Sequence, residues 1–224
     1  MKNIHKQAGI TLIETMIGLA LSLIVTTSMI GLMGNSMGSA SRIIKMSQLT
    51  DEMRNAMSMM SRDVRRANYN ANNIYCYANS DCGIDNSATQ SSDVIVTTTD
   101  GDSCFIFGLD RDYDGNANND GGGGFRRVTT GGVGVIEMWV GSSVPACGSG
   151  SADWVAVTDP EFVNITGFRV DDSASFNNVL EAASGTVTQR TRFVEVEING
   201  QLVLDNTITR TIQDKVKLRN NFFL

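Results

Sequence analysis

Between Ile10 and Met33 the chain runs for 24 residues with a single charge, Glu14. That length matches the ~20 apolar residues a helix needs to cross a bilayer core. It does not match a secretory signal peptide, whose apolar core has about 7–15 residues and whose small-residue cleavage site follows it. Here the small residue, Gly9, comes first. A plain transmembrane anchor fits the length but gives Glu14 no purpose. A carboxylate inside a membrane-length helix costs about 3 kcal/mol unless it finds a partner, so Glu14 is expected to be functional.

Charge sets the expected topology. Lys2 and Lys6 precede the apolar run, which favours an N-terminus inside the cell and everything after Met33 outside it. In a diderm bacterium that is the periplasm. The cysteines agree: Cys76, Cys82, Cys104 and Cys147 all fall in the exported part. Four cysteines allow three connectivities. The favoured pairs are Cys76–Cys82, within a polar segment, and Cys104–Cys147, joining a strand to a loop. Zinc binding is disfavoured because no CxxC pair and no partner histidine are present.

The formal charge is −6, and an acidic chain offers nucleic acid no overall attraction. Two local basic clusters, Arg62/Arg65/Arg66 and Arg126/Arg127, read as solvated faces. The only histidine is His5, ahead of the apolar run, which removes histidine-based triads and most zinc hydrolase chemistry. No enzyme is indicated. Roughly 190 residues after Met33 suffice for one domain with its own core.

The helix is expected to continue past the membrane-length run. Gly34 to Asn68 contains no proline, and Leu49, Met53, Met57, Met60 and Val64 recur at the spacing of one helical stripe. A helix from Ile10 to about Asn68 follows, its second half laid on a sheet. Gly31, Gly34 and Gly38 mark the expected place for bending or unwinding, since each interior glycine weakens a helix by about 1 kcal/mol. Gly34-xxx-Gly38 equally fits close helix–helix packing.

Beyond a polar loop from Tyr69 to Ser92, strand-like runs are read at 93–99, 104–109, 125–130, 133–140, 154–157, 162–170, 192–198 and 207–218. Val194, Val196 and Ile198 alternate with Glu195 and Glu197, the pattern of a half-exposed antiparallel strand. Asn199-Gly200 signals a tight turn. Residues 171–188 read as a long surface loop, and Gly121 to Gly124 as loop flexibility. The fold class expected is α+β, one long helix against antiparallel sheet.

Asp110, Asp112, Asp114 and Asn116 place oxygen ligands at alternate positions, with Gly115 sixth, as in the first half of an EF-hand calcium loop. The twelfth position is Gly121, where a bidentate Glu should close the shell; Asp120 stands beside it. Calcium is the one cofactor considered. A plain soluble hairpin loop is the alternative.

A short leader with Lys2, His5 and Lys6, the Gly9-Ile10 junction and Glu14 five residues beyond Gly9 together resemble a type IV prepilin N-terminus. The resemblance implies that a prepilin peptidase removes residues 1–9 after Gly9 and methylates Ile10. It implies a type IV pilin fold, with 10–33 as transmembrane and filament-core helix, 34–68 as its amphipathic continuation and 69–224 as a β-rich head. Family members usually begin with Phe, where this chain has Ile10. Glu14 would pair with the α-amino group of a neighbouring subunit's Ile10, in one axial register. The run Met59-Met-Ser-Arg-Asp-Val-Arg-Arg-Ala67 and the C-terminal Val216-Lys-Leu-Arg-Asn220 resemble PilW-type minor pilins, and the J-type pseudopilins of type II secretion share this plan. The partners implied are other minor pilins, the major pilin, the prepilin peptidase and the inner-membrane assembly platform. The implied location is the inner membrane and then the pilus. A membrane-anchored periplasmic binding module that never polymerises would have no use for Glu14.

Overall fold

The computed structural model describes residues 9–67, 69, 94–99, 102–109, 121–143, 145–148, 152–182, 185–220 and 222–223. Cys76, Cys82, Asp110, Asp112, Asp114 and Asn116, and with them the calcium reading, lie outside the described residues. The chain forms two units, residues 1–46 and 47–224.

One helix, α1, runs from Leu12 to Arg66. In the first unit its apolar side chains are exposed on every side, Leu12 to Met33 included. Five of its hydroxyls are satisfied within the helix: Thr15, Ser22, Thr26, Thr27 and Ser28 donate to carbonyls three or four residues back, at 2.6–3.1 Å. Internal satisfaction of polar groups is what a hydrocarbon solvent demands. The segment is long and apolar enough to cross a membrane. Gly31, Gly34 and Gly38 are helical and each faces open space.

In the second unit α1 buries the expected stripe, Leu49, Met53, Met57, Met60 and Val64, together with Ala56. Three antiparallel sheets accompany it. Sheet A is a meander of β1 (Ile95–Thr99), β2 (Asp102–Gly108), β3 (Gly122–Thr130), β4 (Val133–Trp139) and β5 (Trp154–Ala156). Sheet B has β9 (Phe193–Leu202) between β6 (Val163–Asp171) and β10 (Thr209–Lys217). Sheet C has β8 (Gly185–Thr191) between β7 (Phe176–Ala182) and β11 (Phe222–Phe223). This is an α+β, pilin-like fold, with a long N-terminal helix packed on antiparallel sheet.

Three sequence expectations need correction. Asn199-Gly200 is no turn: β9 runs through it, and the chain reverses at 203–208 instead. Gly200 serves the helix, because a Cβ there would stand 2.9 Å from the Met53 sulfur. Gly122 to Gly124 are strand rather than loop; a Cβ on Gly123 would stand 2.4 Å from the Phe107 ring lying across it. Residues 171–188 are no loop either, since β7 and the start of β8 occupy most of them.

The core joins sheets A and B. Phe105 packs against Phe125 (ring centroids 5.5 Å), Phe107 (6.4 Å) and, from β6, Phe168 (6.3 Å). On the opposite face of sheet A, Trp139 meets Trp154 edge-on at 5.3 Å, beside the Cys104–Cys147 disulfide. Arg126 belongs to this cluster and is not solvated. Its guanidinium lies 4.4 Å from the Trp154 ring, 2.8 Å from Glu137 Oε2, and donates to the Cys147 carbonyl at 3.0 Å. Arg127 donates from Nε to the Ile165 carbonyl at 2.6 Å. Arg62 and Arg66 are solvated as expected, the latter paired with Asp63.

The outer face of sheet B is a polar ladder. Glu197 accepts from Asn199 and Gln213, and these bonds, with help from Arg169, hold its carboxyl below the ordinary range. Asp171 is lowered too, by the Ser173 side chain and backbone N–H first and by Arg169 and Lys215 second. A depressed folded pKa adds stability that is complete above the unfolded pKa and is lost as pH falls through the folded one. Thermal melts of Glu197→Gln should therefore lie slightly below wild type at pH 7 and converge with it as the pH falls through the depressed folded pKa. Parallel curves from pH 7 to pH 2 would remove these carboxylates from the acid limb.

Candidate functional site: the N-terminal junction and the helix end

Gly9, Ile10 and Thr11 precede the helix and are exposed, and nothing stands within 4 Å of the position a Gly9 Cβ would take. A protease can reach the Gly9–Ile10 peptide without unwinding helix. Thr11 holds the N-cap position: its backbone carbonyl accepts the first bonds of the helix, from the N–H groups of Glu14 (3.1 Å) and Thr15 (3.3 Å). Thr11-Leu-Ile-Glu14 has the spacing of a capping box, with Glu14 in the first turn. The partial positive charge at the helix N-terminus therefore favours the carboxylate before any partner arrives. Sequence reasoning missed Thr11, although the Thr-x-x-Glu signal was there to be read. Glu14 itself is exposed, available to a group on another chain.

At the other end of α1 the two stretches that resembled minor pilins meet. The Arg219 N–H donates to the Arg65 carbonyl at 3.3 Å, and the Asn220 side-chain amide donates to the Arg66 and Ala67 carbonyls at 3.2 and 3.1 Å. These are carbonyls that a helix C-terminus leaves without an internal partner. Ser61 donates to Asp214 of β10 at 2.5 Å, within the same contact. Residues far apart in sequence thus form one device that ties the helix end to the last long strand.

Of the residues expected to be functional, the structure leaves Gly9 and Ile10 exposed just ahead of the helix and Glu14 exposed in its first turn, and joins Cys104 to Cys147, with Cα atoms 5.9 Å apart. It also buries one cation the sequence did not single out. Arg192, between β8 and β9, donates to the Val94 carbonyl and lies 3.2 Å from Asp172. No local signal marks it, since both partners come from other segments. Among the described residues no group of three or more His, Cys, Asp or Glu side chains is placed to hold a metal.

An exposed small-residue junction, a membrane-length helix with a carboxylate in its first turn, and a β-rich unit built on the helix's second half define a membrane-anchored pilin-type structural protein. Comparison with known families agrees. The prokaryotic N-terminal methylation motif matches residues 4–30, and the family described as prepilin peptidase-dependent protein B matches residues 42–218. The chain belongs to that family. No curated protein and no solved structure matches it.

Proposed function

We propose that the chain is a minor pilin of PilW type, a low-abundance subunit that helps initiate type IV pilus assembly and sits at or near the tip. Prepilin peptidase cuts after Gly9, and Ile10 becomes the methylated N-terminus. Residues 10–33 anchor the chain in the inner membrane and later enter the filament core, while 69–224 form the exported head. The observation that carries this reading is the exposed Gly9–Ile10 junction immediately ahead of an apolar helix bearing Glu14 in its first turn. In an apolar filament core a lone carboxylate needs a cation, and the α-ammonium of a neighbour's Ile10 satisfies it in one axial register.

Mass spectrometry of the N-terminal peptide, from sheared filaments and from membranes of the same cells, tests the processing and the destination together. A chain starting at N-methyl-Ile10 in filaments supports the minor pilin. The same chain confined to membranes favours a minor pseudopilin of type II secretion. An intact Met1 in both fractions removes the processing argument. Glu14→Ala should reach the membrane normally and enter filaments at about a tenth of the wild-type level, in keeping with ~1–2 kcal/mol of lost pairing. Wild-type incorporation would sink the register role.

A further inference from the structure

Unpaired strand edges are templates for another strand, and proteins blunt them with brevity, charge, proline or bulges. Here the edges differ. β5 has three residues and β11 two. β10 carries Arg210, Asp214, Lys215 and Lys217. The side of β6 away from β9 is engaged with sheet A, through the Val170 N–H to Ser103 Oγ at 2.9 Å and through Arg127 to the Ile165 carbonyl. Two edges lack most of these protections: the five-residue β1, which has no charge and no proline, and the longer β7. Its seven residues, Phe-Asn-Asn-Val-Leu-Glu-Ala, hold one charge and no proline, and they pair with β8 residue for residue from Phe176↔Thr191 to Ala182↔Gly185. Val179 is 69% exposed and Phe176 49%.

Among the described residues, the register says which β7 backbone groups face away from β8. The ladder ends on Ala182↔Gly185 with two positions between them, and an end pair at that spacing exchanges both hydrogen bonds. Alternation then commits Phe176, Asn178, Leu180 and Ala182 to β8 and turns the N–H and C=O of Asn177, Val179 and Glu181 outward.

That outward trio is complementary to itself. In an antiparallel pairing centred on Val179, Val179 faces Val179 and Asn177 faces Glu181 twice. The two Glu181 carboxylates stay apart, and each meets an amide donor. On the other face Asn178 stands opposite Leu180, and Phe176 opposite Ala182. Only this register engages all three outward residues of both strands. We propose that β7 is a self-recognition edge on which a second copy of this chain docks by β-strand addition, extending sheet C across a two-fold axis.

Disulfide trapping of the full chain in native membranes tests this, using single cysteines at 177 to 181 in a Cys76→Ser, Cys82→Ser background. A hydrogen-bonded antiparallel pair places Cα atoms about 5.5 Å apart, within disulfide reach. Val179→Cys should give about tenfold more covalent homodimer than Asn178→Cys or Leu180→Cys, because only 179 faces itself. The double variant Asn177→Cys, Glu181→Cys should crosslink as well, which covers the case in which Val179→Cys does not fold. Val179→Pro, which removes an outward N–H and no β7–β8 bond, should abolish the dimer trapped by that double variant. Equal yields across the five positions, no dimer from either design, or crosslinks to other proteins alone would overturn the proposal.

Discussion

Gly134→Ala should lower the stability of the full chain by about 4 kcal/mol, combining overpacking with two compromised hydrogen bonds. At position 134 the backbone of β4 lies directly against that of β6. A Cβ there would stand 1.9 Å from the Ile165 carbonyl oxygen and 2.7 Å from the Arg127 guanidinium. The first of these is backbone and cannot swing aside. Relief requires the two strands to separate, which breaks the 2.6 Å bond from Arg127 to Ile165 and the 2.8 Å bond from the Gly134 N–H to Asn164 Oδ1. Typical domains hold only about 5–15 kcal/mol, so much of the fold's margin would go. Denaturant titration in detergent reads the effect. Gly34→Ala is the control, because its Cβ meets nothing within 4 Å and it should gain about 1 kcal/mol of helix propensity. An unchanged midpoint for Gly134→Ala would mean that the strands are not this close.

Gly134 also shows where sequence reading stops. Its glycine answers to Ile165, thirty-one residues away, as Gly200 answers to Met53 and Gly123 to Phe107. A glycine read locally suggests a turn or a loop, and for Asn199-Gly200 and Gly122 to Gly124 that reading failed. The Met53 to Val64 stripe and the Val194–Ile198 alternation were legible because each repeats with the period of its own element. β7 and β8 repeat nothing: four residues in a row from Phe176 are exposed, so no apolar/polar alternation announces a strand. Arg126 looked like half of a solvated basic pair because Glu137 and Trp154 reach it only through the register of neighbouring strands.

The proposed processing junction was easier to read than the head, for the same reason. Gly9, Ile10 and Glu14 lie within a few residues of one another, so the chemistry proposed for them is written in local order. Asn220 lies at the other extreme: an exposed-looking amide near the C-terminus, whose partners are the carbonyls of Arg66 and Ala67. Only the fold reveals that the helix end and the last residues belong to one motif.

Replacing both Cys104 and Cys147 by serine should cost about 4 kcal/mol, the loop-closure estimate for a separation near 43 residues. The loss should be local in structure. Cys147 lies in the segment after β4 that turns back over the outer face of sheet A, where the Trp139 indole N–H donates to the Ser143 carbonyl at 3.2 Å and Arg126 to that of Cys147. Without the bond this segment loses its covalent tie to β2, while the Phe105 core on the opposite face stays intact. The protein has two tryptophans, and both stand in this cluster, so their fluorescence reports the outer face by itself. The double variant should melt earlier, with its tryptophan emission shifted toward that of exposed indole and its helical circular dichroism unchanged. Adding reductant to a Cys76→Ser, Cys82→Ser protein should reproduce the same losses, and adding it to the chain lacking Cys104 and Cys147 as well should change nothing. A fold that depends on this bond matures where thiols oxidise, outside the reducing cytosol. Equal stability of the oxidised and reduced forms would detach the disulfide from the argument for export and leave the outer-face cluster resting on Trp139, Trp154 and Arg126.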